Sequence, residues 1–86
     1  MNRKDFKKAL IRLYASCGSF ILQCGASEKN GVYLTRFRHP TQKKIIEVTE
    51  NVSEILCVLV YSDTYNASQR NCVECKTIEQ FQNAVA

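Results

Sequence analysis

The chain has a single histidine, a single proline, three glycines and no tryptophan. One histidine, His39, rules out a multi-histidine metal site, and no neighbouring residue builds a Ser/His/Asp or Cys/His arrangement around it. Gly18, Gly25 and Gly31 are too dispersed to form a phosphate-cradling loop. Long hydrophobic runs are missing too. The longest, residues 55–61, falls far short of the roughly 18 needed to span a bilayer. The basic start (Arg3, Lys4, Lys7, Lys8) leads into no uninterrupted apolar stretch and no small-residue cleavage site, so no secretory leader is read. Linkers, internal repeats and low-complexity tracts are absent, and 86 residues make one compact domain. The expectation is a cytoplasmic protein with reduced thiols, in which the sequons Asn51-Val52-Ser53 and Asn66-Ala67-Ser68 play no part.

Basic residues are nearly lacking from the second half. Residues 1–44 hold ten Lys and Arg against two acids, a balance of +8. Residues 45–86 hold two bases against six acids, a balance of −4, so the whole chain carries +4. A field this lopsided bears on partners and association rather than on fold. It directs the first half toward something anionic.

The hydrophobic spacing predicts an α+β domain. Phe6, Leu10, Leu13 and Tyr14 recur at helical spacing over residues 2–16, with Asn2 as cap and Gly18 as stop. Residues 19–24 read as a strand and 25–31 as a loop whose Asn30-Gly31 pair is a turn signal. Residues 32–38 read as a second strand and 39–42 as a turn around Pro40. Residues 43–49, 55–62 and 72–76 read as further strands, with a polar loop over 63–71. Thr77 and Gln80 form a capping box that opens a closing helix. The architecture expected is an antiparallel meander of four to five strands with both helices on one face. A competing pattern exists: Ile45, Val48, Val52, Ile55, Leu56 and Leu59 also fit a helical period, which would make residues 41–60 largely helical. The β-branched content of the segment favours strands.

Five cysteines are present: Cys17, Cys24, Cys57, Cys72 and Cys75. Cys72 and Cys75 form a C-x-x-C that could join Cys17 and Cys24 in a zinc site. No glycine lies between residues 71 and 76 to turn backbone amides toward the sulfurs, and no second C-x-x-C exists. A thioredoxin-like redox pair would need a βαβ setting that this pattern does not supply. The thiols therefore read as small hydrophobes, His39 as a solvated turn residue, and the acids as a solvated face. No metal, cofactor or catalytic residue is assigned, and the chain is not expected to be an enzyme.

The basic constellation carries the functional expectation. The first helix offers Lys4, Lys8 and Arg12, and the second hairpin offers Arg36, Arg38, Lys43 and Lys44. Arg36 and Arg38 project from one sheet face, while Tyr33 and Phe37 project from the other. Such a surface suits docking on an acidic face of a protein or nucleoprotein complex, and in second place direct RNA or DNA binding. A zinc or thiol role for the C-x-x-C comes third. No membrane partner is expected. A homodimer would follow if residues 43–49 or the last short strand formed a bare sheet edge. In size and organisation the chain is similar to small accessory proteins of phages and mobile elements, including inhibitors of host defence nucleases such as anti-CRISPR proteins. That likeness is one of scale rather than motif. It implies a mode of action, stoichiometric occupation of a surface that another macromolecule needs.

Overall fold

The computed structural model describes residues 1–18, 22–64 and 71–86. Helix α1 (Arg3–Ser16) is followed by five strands: β1 (Leu22–Lys29), β2 (Val32–Arg38), β3 (Lys44–Glu50), β4 (Ile55–Ser62) and β5 (Val73–Cys75). Helix α2 (Ile78–Val85) closes the chain. The strands form one antiparallel sheet in sequential order, β1-β2-β3-β4-β5. The helical alternative for residues 41–60 is therefore incorrect. Ile46 and Val48 pair with Val60 and Val58 across the β3–β4 ladder, so their β-branched side chains share one pleated face.

Local signals set most of the boundaries. Asn2 Oδ1 accepts from the Asp5 amide at 3.1 Å and starts α1. Gly18, at φ +66°, ends it. Thr77 accepts from the Gln80 amide at 3.1 Å, but Gln80 Oε1 reaches back to the Lys76 amide rather than to that of Thr77. The capping box is thus shifted by one residue at its return bond. Asn30 (φ 54°) and Gly31 (φ 79°) both take left-handed backbone, the signature of a two-residue type I′ hairpin turn.

That turn corrects the expectation for residues 25–31. Gly25, Ala26 and Ser27 have little intrinsic strand preference, yet β1 continues through them to Lys29. The turn holds β1 against β2 in register from Lys29↔Val32 back to Gly25↔Arg36, where Cys24 is bulged out. The expected opening of this strand over residues 19–21, and most of the expected loop over 63–71, lie outside the described residues. Of the two strands weighed as a bare edge, β3 is central and the last short strand is indeed at an edge. The edges are β1 and the short β5.

Both helices pack on one sheet face. Phe6, Ala9, Leu10 and Tyr14 of α1 and Phe81 and Val85 of α2 meet Phe37, Ile46, Val48, Ile55, Val58, Val60 and Cys75. Phe6 and Phe81 stack edge-on with ring centroids 5.0 Å apart, joining the two helices over the sheet. The opposite face carries Leu34, Arg36, Arg38, Ile45, Glu47, Cys57, Leu59 and Tyr61, and no described helix lies on it. No described helix is long and apolar enough to cross a membrane.

Candidate functional site

The basic residues do not form one patch, because the fold distributes them over three places. Arg36 and Arg38 lie on the open sheet face, as their two-residue spacing requires. There they meet acids: Arg36 Nε is 3.7 Å from Glu47 Oε2, and Arg38 Nε is 3.8 Å from Asp63 Oδ2. Tyr61 joins the first pair. Its phenol is pushed up by burial and by its hydrogen bond to Glu47, against an opposing pull from Arg36. Arg36, with Ile45, Glu47, Leu59, Asp63 and Cys72, lines a cleft of about 550 Å³ in which cation and anion are matched. The acids of the second half come back across the sheet to face the bases of the first, which strand spacing alone does not reveal.

Lys44 leaves the group altogether. It projects to the helix-covered face, and its Nζ donates to the Ala84 carbonyl at 2.9 Å. It therefore caps the exposed carbonyls at the end of α2, where a cation is favoured. Lys43 stays exposed in the β2–β3 turn, and its carbonyl accepts from the Asp63 amide at 2.9 Å. Beside it, His39 departs from its expected solvated place. It is 4% exposed. Its Nδ1 accepts from the amides of Thr41 and Gln42 at 3.2 and 3.0 Å, which leaves Nε2 to donate to the Val85 carbonyl at 3.2 Å. The lone histidine is a brace between the β2–β3 turn and the end of α2. Burial pushes its pKa down, with Lys44 acting in the same direction and the Val85 carbonyl opposing.

The first helix holds the remaining cations in two rows. Arg3 and Lys7 face inward to Glu50, with Arg3 Nε at 3.0 Å from Oε2 and Lys7 Nζ at 3.3 Å from Oε1. Glu50 is buried, so this pairing fixes α1 to the end of β3. Lys7 Nζ also stands 5.9 Å from the centre of the Phe37 ring. Lys4, Lys8 and Arg12 form the outer row, each four residues from the next and all exposed. None of the three meets an acidic partner among the described residues. Ile11 lies within the same stripe and is 56% exposed. Across a shallow groove of about 800 Å³ stands the β3–β4 turn, whose Val52 is 79% exposed. Asn51 holds that turn in shape by accepting from the amides of Ser53 and Glu54 at 2.9 and 2.8 Å. Sequence reading found the three cations but missed the two apolar residues, because Val52 reaches the helix only through the β3–β4 turn.

The C-x-x-C is divided by the strand that carries it. Cys75 points into the core, 3% exposed, whereas Cys72 is exposed beside the open-face cleft. Burial pushes the Cys75 thiol up, and Cys57 on the open face is raised in the same way, so both favour the protonated thiol over the metal-binding thiolate. Among the described residues no three His, Cys, Asp or Glu side chains converge on a common point. No family model, curated protein or solved structure matches the chain.

Proposed function

We propose that the protein is a non-enzymatic binding protein that docks an acidic protein surface through the outer row of α1 and the adjoining β3–β4 turn. One observation carries the proposal. Lys4, Lys8 and Arg12 stand without acidic partners among the described residues, beside the exposed side chains of Ile11 and Val52. Every other cation singled out in the sequence, save Lys43 in its turn, is engaged by an acid or by a helix end. Cations around an apolar centre are the makeup of a protein-docking site: charge speeds and orients encounter, and the desolvated apolar contact holds the complex. A phosphate backbone would use the cations and leave Ile11 and Val52 exposed. Occupation of a partner's surface is also the mode of action of small phage and mobile-element inhibitors, and the proposal extends to a role of that kind.

The test compares the wild-type chain with a Lys8→Glu/Ile11→Asp variant. Both positions are exposed, so the variant keeps its circular dichroism spectrum and melting temperature. Each is used as bait in a lysate of the native host after nuclease treatment. The expected result is a protein retained by wild type and absent from the variant. Equal retention by both, or recovery of nucleic acid alone without nuclease, refutes the proposal.

A further inference from the structure

We infer that β1 is a self-pairing edge, and that two copies of the chain join there into one continuous ten-stranded sheet. The two sheet edges are unlike. The β5 edge is three residues long and lies against α2. The β1 edge is eight residues long, and its described side chains are exposed except at Gly25. Beside it, Val32, Tyr33 and Leu34 form an apolar run in which the first two are 37% and 43% exposed. An exposed strand flanked by an exposed apolar run gains little from its own fold and is a template for another strand.

Alternation from the type I′ turn fixes which backbone groups are available. Lys29 and Val32 flank the turn and bond to each other, so Ser27 and Gly25 also face β2, while Ala26 and Glu28 turn their N–H and C=O groups outward. No described residue bonds those outward groups.

The residues of the strand point to a second copy as occupant. A two-fold axis through Ala26 sets Ala26 against its counterpart, Gly25 against Ser27, Cys24 against Glu28 and Gln23 against Lys29. The middle of this seam is Gly25, Ala26 and Ser27, small enough for close approach on both faces. No like charges face each other. The neighbouring register, centred on Ser27, would bring the two Glu28 side chains onto one diagonal, and is disfavoured. The bulge at Cys24 marks the end of regular pairing. An antiparallel pair of this kind keeps all four helices on the same side of the joined sheet.

Sedimentation equilibrium on the reduced protein tests the inference, with Ala26→Pro and Ala26→Lys as variants. Proline removes an outward N–H and leaves the β2 ladder intact, and each change acts twice across the axis. The expected result is a concentration-dependent dimer of the 9.8 kDa chain. Its dissociation constant rises about tenfold or more in either variant, at unchanged circular dichroism. The Ala26 and Glu28 amides should also exchange more slowly with deuterium as concentration rises. A chain that stays monomeric up to about 1 mM overturns the inference. So does a dimer that both variants leave intact, which would place the interface on another surface.

Discussion

Acid should loosen this fold through His39. The buried ring accepts two amide hydrogens at Nδ1 and donates from Nε2 to Val85. A proton added at Nδ1 would face the Thr41 and Gln42 N–H groups, with Lys44 close by. The fold therefore favours the neutral ring and depresses its pKa below the ordinary 6.5 of a free imidazole. The sign follows. Stabilisation is complete above pH 6.5, where the unfolded chain is also neutral. It falls as pH drops through 6.5 toward the folded-state pKa, because only the unfolded state takes up the proton. Titration of the unfolded histidine caps the loss at about 2 kcal/mol between pH 7.5 and 5. For a domain of this size that is a fall in Tm of at most about 8–16 °C. The matching perturbation is His39→Asn, whose side-chain oxygen can serve the same two amides and does not titrate. It should cost about 1–2 kcal/mol at pH 7.5 through the lost Val85 bond and lost contact area, and should then show a flatter pH dependence than wild type. Thermal melts at half-unit pH steps, with ring nitrogen shifts reporting the Nε2–H tautomer, measure both. A wild type that loses no more stability than His39→Asn over this range would falsify the reasoning.

Three further outcomes test other parts of the structure. Glu50→Gln should cost about 1–2 kcal/mol by urea unfolding, because Arg3 and Lys7 lose a buried charge but stay half in water, and part of that difference should vanish at 1 M salt. Tyr14, whose hydroxyl donates to the Arg38 carbonyl at 2.7 Å, has a pKa pushed up to about 12 by burial, with Cys24 and Cys17 adding to it. Spectrophotometric titration should show a phenol titrating at about 12 that Tyr14→Phe removes, with a loss of about 1 kcal/mol in stability. Phe81→Ala should cost about 3–5 kcal/mol, enough to unfold much of the population at 37 °C as seen by near-ultraviolet circular dichroism, since the ring is 1% exposed and bridges both helices.

The elements that carry their own local signals were legible in the sequence. The caps of α1 and α2, the Asn30-Gly31 turn and the alternation of β2 each depend on a few neighbouring residues, and each stands close to where those residues place it. The β-branched content settled residues 44–50 and 55–62 as strands over a helical period that fits equally well on a wheel. What escaped was long-range. Gly25, Ala26 and Ser27 are strand because β2 lies beside them, not because of their own preference. Glu50 is 43 residues from Lys7, His39 is 46 from Val85 and Lys44 is 40 from Ala84. No local pattern distinguishes a lysine that caps a distant helix from one left in water. The candidate docking stripe was half visible for the same reason: Lys4, Lys8 and Arg12 follow helical spacing, but Val52 joins them only through the turn that brings β3 back as β4.

The sequential order of the sheet also sets how the chain must fold. Each strand pairs with the one just made, and the first three hairpins close short loops, so the ladder can grow without searching for distant partners. The helices are different. Phe6 and Phe81 sit near opposite ends of the chain, so their contact closes a loop that takes in all five strands. Docking of α1 against α2 is thus the step with the longest loop to close, and the apolar face of the sheet waits for it. Weakening the Phe6–Phe81 contact should leave refolding of the meander almost untouched and slow the closing step, separating in time two halves of a core that in the finished molecule are continuous.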